Sequence, residues 1–96
     1  MNMEKTYMRP VIDQIATGCK IRQIRKSLGF SVRDIQDVFG FDFPQAVYAW
    51  EQGKNVPTVD NLLVLSALFN VDLKDLLVIR MVENLLKSGA DCKKSA

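Results

Sequence analysis

The side chains best suited to bind another molecule lie between Pro44 and Gln52, in a segment that the residue pattern predicts to be helical. At about 100° per residue, setting Val47 toward the interior turns one row of side chains outward: Gln45, Tyr48, Ala49 and Gln52. This row carries no long apolar side chain, so it is not suited to a hydrophobic core. A glutamine amide can pair bidentately with adenine, and a tyrosine hydroxyl can bond to phosphate. The row is therefore either a surface that reads a nucleic acid or an ordinary solvated helix face.

Two short helices joined by a tight turn are expected to position this row. Ser31 is a good N-cap residue with Asp34 three positions further on, and apolar residues follow at helical spacing. Gly40 ends the first helix, and Pro44 suits the first position of the second, because its missing N–H costs nothing there. Gly53 suits the left-handed residue that follows a helix end. The pattern predicts a helix-turn-helix motif.

A cation and an anion fall on the apolar sides of predicted helices. The segment from Lys20 to Gly29 is amphipathic, and Arg25 lies about 40° from Ile21 on its apolar stripe. The rotation that turns Val47 inward places four other residues on the inner half of their helix: Phe43, Pro44, Trp50 and Glu51. Because an unpaired buried charge is very costly, we expect Arg25 and Glu51 to form a partly buried ion pair. The alternative is that Arg25 extends its side chain to the surface.

Composition narrows the class of protein. The 96 residues carry a net charge of +2 and no histidine, so the commonest general base and metal ligand is missing. No nucleophile–base pair can be assembled, and we expect neither an enzyme nor a metal or cofactor site. No apolar run is long enough for a membrane span, and no secretory signal pattern is present. Cys19 and Cys92 are expected to be free thiols in a reducing cytoplasm, with a disulfide as the alternative.

The remaining segments predict further helices. Residues 1–17 read as an N-terminal arm that is weakly helical from Pro10 and breaks at Thr17-Gly18. Thr58 caps a helix over residues 59–69. Asp72 and Asp75 cap a last helix, which starts at Leu73 and has no strong stop before Ser88. Apolar residues cover so much of its circumference that we expect a homodimer through Leu73–Leu86.

The segment from Lys20 to Leu77 resembles the helix-turn-helix domain of the Cro/phage-repressor (XRE) regulators. The resemblance rests on Ile-x-x-Ile-Arg-Lys at residues 21–26, Trp-Glu-x-Gly at residues 50–53, and Pro-x-x-x-x-Leu at residues 57–62. It implies an all-α, five-helix, lambda-repressor-like domain over residues 18–78, with residues 79–96 as a helical extension and tail. It also implies double-stranded DNA bound through Pro44–Gln52, frequent dimerisation on palindromic sites, and pairing of Arg25 with Glu51.

The sequence departs from this family pattern near the motif. The turn is one residue longer than usual and contains Phe41 and Phe43, and Gln36 replaces the usual small residue of the first motif helix. Acidic residues crowd the motif, while its second helix has no lysine or arginine.

We therefore expect a sequence-specific DNA-binding transcriptional regulator. Base contacts are expected from Gln45, Tyr48 and Ala49. Phosphate contacts are expected from Arg33, Gln52, Lys54 and Asn55. The alternative is an antitoxin-like or accessory protein-interaction module of the same fold, with the apolar stripe of Leu73–Leu86 as its contact surface.

Overall fold

A computed structural model describes residues 5–86, and this part of the chain contains five helices and two strands. In chain order they are β1 (Lys5–Ile12), α1 (Gln14–Ser27), α2 (Val32–Phe39), α3 (Gln45–Glu51), α4 (Val59–Phe69), α5 (Leu73–Leu76) and β2 (Ile79–Leu86). The helical domain expected from the sequence is present. The all-α prediction is wrong, however, because β1 and β2 pair as a two-stranded antiparallel sheet.

The helices surround one small core. Its fully buried apolar side chains come from every helix: Ile21, Ile35, Val47, Trp50, Leu62, Leu65, Phe69 and Leu76. Local signals set the helix ends, because the hydroxyl of Ser31 accepts from the backbone of Asp34 and that of Thr58 from Asn61. Gly40 ends α2 in the left-handed conformation at φ 71°. These caps are those that the sequence predicts.

The first helix begins earlier than expected and is continuous. The carboxylate of Asp13 caps it by accepting from the backbone N–H of Ala16 at 3.0 Å, and the predicted break at Thr17-Gly18 is absent. Gly18 is instead the point where α1 lies against the end of α3. A Cβ on Gly18 would come within 2.8 Å of the carbonyl oxygen of Glu51. The glycine therefore permits a close helix contact. The weak helix expected from Pro10 is also wrong, because β1 extends to Ile12 and α1 begins at Gln14.

The predicted long last helix is also wrong. Helix α5 has only four residues, Leu77 is extended, and Ile79–Leu86 form β2 against β1. The backbone of Val78 is fixed at this change of direction: its N–H donates to the hydroxyl of Thr17 at 2.9 Å, and its carbonyl accepts from the N–H of Asp13 at 2.8 Å. Tertiary pairing with a distant segment thus overrides the local helical pattern. We call the β1–β2 pair the ribbon.

The apolar residues of Leu73–Leu86, which the sequence pattern places on one helix, divide between two parts of the structure. Side chains up to Leu77 pack in or against the helical core, whereas those from Ile79 onward belong to the ribbon. The expected stop at Ser88-Gly89, and Cys92, lie outside the described residues. Cys19 is exposed on α1. Within residues 5–86, no helix has the length and apolarity needed to cross a membrane.

Candidate nucleic-acid interface

Helix α3 packs against the core with its inner side and presents a row of polar side chains to solvent on its outer side. Val47 and Trp50 are 0% and 5% exposed, and they hold the inner side of the helix in the core. Gln45, Tyr48 and Gln52 are exposed, and Ala49 is half-buried beside them. The facing predicted from helical rotation is therefore found for these side chains. Three of them lie on one side of α3, and Gln52 continues the row at the C-cap of the helix.

An ion pair joins the back of α3 to α1. Arg25 donates from Nε to Glu51 Oε2 at 2.6 Å and from Nη2 to Glu51 Oε1 at 3.0 Å, a bidentate geometry. Its Nη1 donates to the carbonyl oxygen of Phe30 at 2.9 Å. The two charged side chains are only 8% and 6% exposed. The hydrogen bonds that Arg25 donates to the Glu51 carboxylate raise the pKa of Arg25 above its ordinary value, although burial acts in the opposite direction.

The lengthened turn between α2 and α3 is held from below by aromatic packing. Phe41 stacks on Phe39 with ring centroids 5.2 Å apart, and both rings meet Trp50 edge-on at 5.9 and 5.3 Å. The amide of Gln36 donates to the carbonyl oxygen of Phe41 at 3.1 Å. Gln36 therefore has a structural task that a small residue could not perform. The extra residue is accommodated in an ordered turn.

Phe43 does not lie where helical rotation predicts. It is 69% exposed rather than inward, because α3 starts at Gln45 and the rotation of 100° per residue does not extend into the turn. Pro44, immediately before the helix, is half-buried. The result is a large apolar side chain in solvent at the N-terminal end of the polar row. The sequence does not indicate which of Phe41 and Phe43 faces outward, because both lie in the same turn between the motif helices.

Two cations and one amide side chain lie at the ends of the helix-turn-helix motif. Arg33 is exposed on the first turn of α2, and Lys54 and Asn55 are exposed in the loop after α3. That loop is tied to the helix, because the N–H groups of both residues donate to the carbonyl oxygen of Ala49, at 2.9 and 3.4 Å. The structure thus places the expected phosphate contacts at both ends of the motif.

Arg22 is a further cation that sequence reasoning did not assign to the site. It lines a surface pocket of about 350 Å³ together with Tyr48 and Gln52 from the polar row, above the Arg25–Glu51 pair. The sequence spacing indicates this position, because Arg22 precedes Arg25 by three residues and therefore lies on the same side of α1. Arg22 supplies a positive charge next to the polar row, which has none of its own.

Two of the acidic side chains near the motif make structural contacts: Glu51 in the ion pair with Arg25, and Asp34 in a helix cap. The carboxylate of Asp34 accepts from the backbone N–H of Ser31 at 2.8 Å, completing a reciprocal capping box at the start of α2. This backbone hydrogen bond, reinforced by the Ser31 side chain, lowers the pKa of Asp34. Asp37, Asp42 and Asp60 are exposed.

Comparison with known proteins gives one family and several structures. A family model described as helix-turn-helix matches residues 21–76. The restriction-modification controller protein C.AhdI from Aeromonas hydrophila is similar in structure, with a TM-score of 0.60, 23% identity, and coverage of 67% of this chain and 96% of that one. The DNA-binding domain of BldD gives a TM-score of 0.59 and 25% identity, with coverage of 69% and 94%. The S. venezulae BldD DNA-binding domain gives the same score and identity, with coverage of 69% and 97%. A comparison with curated proteins finds no match.

Proposed function

The chain belongs to the helix-turn-helix family that matches residues 21–76, and from that premise we propose that it is a DNA-binding regulator of transcription of the Cro/phage-repressor type. The observation that carries the proposal is the exposed polar row of α3 on a helix that is rigidly backed. Val47, Trp50 and the Arg25–Glu51 pair fix the helix, so the row is preorganised before any DNA arrives. The BldD domains, which are DNA-binding by name, support the same reading.

In this proposal the N-terminal end of α3 approaches base edges in the major groove. Gln45 is nearest that end and pairs through its amide with adenine. Tyr48 and Ala49 lie one turn further on. Ala49 permits close approach or touches a thymine methyl group. Exposed Phe43 adds a second apolar side chain of the kind that contacts thymine methyl groups.

Phosphate contacts hold this helix in register. We assign them to Arg33, Gln52, Lys54 and Asn55, and we add Arg22 because it lines a pocket with two residues of the polar row. Cations from α1, α2 and the loop after α3 thereby compensate for a helix that has none. We further propose that the chain acts as a cytoplasmic repressor and carries out no catalysis.

Base reading and phosphate anchoring are separated by one experiment. A site is first selected from random double-stranded DNA, and variants are then compared on it. We expect Gln45→Ala to cost roughly 1–3 kcal/mol of binding free energy and to relax specificity at one base position. Gln23→Ala, which removes an exposed glutamine of α1, is the matched control and should bind like the parent chain.

The phosphate contacts have a different signature. We expect Lys54→Ala to weaken binding to all sequences and to reduce the slope of log K against log salt by about one unit. Lys74→Ala, at an exposed site on α5, should leave that slope unchanged. We expect Phe43→Ala to lower the preference for thymine at one position without changing the salt slope. The DNA-binding proposal fails if selection enriches no sequence and the affinity is only generic cation–phosphate attraction.

A protein-interaction module of the same fold is the second candidate. It is favoured by the exposed apolar side chains of the ribbon, which lie outside the segment matched by the family. An antitoxin-like or accessory subunit would use this surface to bind a partner protein. Failure of the DNA selection, with a folded chain, would favour this candidate.

A further inference from the structure

The ribbon has two faces of different chemistry. Residues directly opposite each other in an antiparallel pair project to the same side, and the register pairs Pro10 with Met81 and Ile12 with Ile79. One face of the ribbon therefore carries six apolar side chains, with only Thr6 and Glu83 as polar members: Met8, Pro10, Ile12, Ile79, Met81 and Leu85. We call this the apolar face. The opposite face mixes two arginines, Arg9 and Arg80, with Tyr7, Val11, Val82 and Asn84.

The apolar face is open to solvent in the single chain. Met8, Ile79, Met81 and Leu85 are each between 49% and 52% exposed, and Ile12 is 36% exposed. In the described part of the chain, the core and the apolar side chains packed against it all lie between Ile21 and Leu77. A two-stranded hairpin alone is at best marginally stable in water, so an uncovered ribbon with one apolar face calls for a cover.

The chemistry of the apolar face favours a second copy of the same chain as that cover. The face has no positive charge, so it does not suit DNA or an anionic surface, whereas the arginines on the opposite face would repel one another if those faces were stacked. The ten residues that follow β2 in the sequence, Lys87–Ala96, have three lysines and no large apolar side chain. The apolar face of a second copy has the same length and composition as the first. A two-fold axis lets these two identical faces pack against each other.

The edges of the ribbon are less suitable for this association than its face. Pro10 has no backbone N–H, so the outer edge of β1 lacks one donor for a further strand. Pairing along the outer edge of β2 would leave both apolar faces in water. Face-to-face packing of two sheets, about 10 Å apart, buries both.

The expected size of this contact sets its strength. Eight residues at about 3.3 Å each and two strands about 4.8 Å apart give a face roughly 26 by 10 Å. With side-chain relief, packing two such faces buries a total surface on the order of 1,000 Å², near the lower limit for specific interfaces. Association should therefore depend on concentration.

We propose that the apolar face of the ribbon is a homodimer interface, in which two ribbons pack face to face about a two-fold axis as a small four-stranded sandwich. This proposal goes beyond DNA binding and does not depend on it. It replaces the helical contact expected from the sequence with a contact between strands. Only Glu83 contributes a charge to the buried surface, one from each copy.

Sedimentation of the full chain without DNA, from about 1 to about 500 µM, tests the proposal. We expect the parent chain to pass from monomer to dimer over this range. Met81→Lys places a charge in the middle of the apolar face and should weaken association about tenfold or more. Tyr7→Lys is the matched control, because Tyr7 is 48% exposed against 52% for Met81 but lies on the opposite face. It should leave the dissociation constant within about twofold.

Glu83→Gln is expected to strengthen dimerisation, in contrast to Met81→Lys. It removes the one charge that the dimer must desolvate, so dimerisation should become tighter. Far-ultraviolet circular dichroism and the fluorescence of buried Trp50 establish that each variant keeps its helical domain. The proposal is overturned if the parent chain is monomeric at the highest concentration, if both lysine variants behave alike, or if Glu83→Gln does not strengthen association.

Discussion

The Arg25–Glu51 pair joins α1 to the inner side of α3 through a buried, bidentate contact. Both side chains are almost fully buried, so removing one charge leaves the other without compensation. We expect Glu51→Gln to lower the free energy of unfolding by about 3–5 kcal/mol. The measurement is urea unfolding followed by Trp50 fluorescence. Arg22→Met removes an exposed arginine from the same side of α1 and should change stability by no more than about 0.5 kcal/mol.

A double variant tells whether the cost comes from the unpaired charge. Arg25→Met combined with Glu51→Leu removes both charges and should recover most of the loss, because a buried pair can be replaced by apolar residues of similar volume. If the double variant is instead as unstable as the sum of the single changes, the buried charge is not the cause.

The direction of a side chain could be predicted wherever it follows from the rotation of a regular helix. The pairing of Arg25 with Glu51 follows from two independent helical rotations that both point inward. The exposure of Gln45, Tyr48 and Gln52 follows from the same geometry. Phe43 was not predictable in this way, because its direction depends on how Phe39, Phe41 and Trp50 pack under the turn.

Asp34 gives the chain a small dependence of stability on acidity. Its pKa is lowered in the folded state by the hydrogen bond from the Ser31 backbone, so the unfolded state binds more protons near its ordinary pKa of about 4. The capping contribution is therefore complete above that value and is lost as pH falls through the lowered folded pKa. We expect the stability difference between the parent chain and Asp34→Ala to shrink as pH falls from about 7 to about 3. Urea midpoints measured along the series test this, and a difference independent of pH would contradict it.

At the scale of elements, Gly18 sets how closely α1 and α3 approach. A Cβ there would meet backbone atoms of Glu51, which cannot move aside as a flexible side chain can. We expect Gly18→Ala to destabilise the domain by about 1–3 kcal/mol through overpacking. This loss should exceed the gain of up to about 1 kcal/mol that alanine normally gives a helix.

Chemical denaturation of Gly18→Ala measures this balance. Gln23→Ala changes an exposed position of the same helix and should be close to neutral. An increase in stability for Gly18→Ala would mean that the two helices separate without cost, against the close contact described above.

Local patterns predicted most of the elements but not the ribbon. Caps and glycine stops lie next to the helices they end, so α2, α3 and α4 could be located from sequence alone. The ribbon pairs residues near position 8 with residues near position 83, and nothing in either segment identifies the other. Without that partner, the apolar residues after Leu77 read as the continuation of a helix. Gly18 was misread for a related reason, because its purpose lies in a helix about thirty residues away.

At the scale of the whole molecule, the helical core and the ribbon are separable in their packing. Among residues 5–86, the buried apolar core lies between Ile21 and Leu76, and the family match covers the same part of the chain. Hydrogen bonds at the junction of the two parts involve Asp13, Thr17 and Val78. In the sequence these residues follow β1 and precede β2, so they do not belong to the ribbon itself. The domain should therefore fold without its ribbon.

A fragment spanning residues 13–78 tests this separation. It retains the core, the Asp13 cap and the contacts of Val78, so we expect helical circular dichroism, a buried Trp50 and cooperative unfolding within about 2 kcal/mol of the full chain. Since it lacks the apolar face, it should remain monomeric at concentrations where the full chain dimerises. Binding of the fragment to a selected single half-site should be retained, while binding to a two-fold palindrome should lose the gain that a linked pair provides. An unfolded fragment would show that the ribbon stabilises the helical domain, and a fragment that still dimerises would place the contact on the helices.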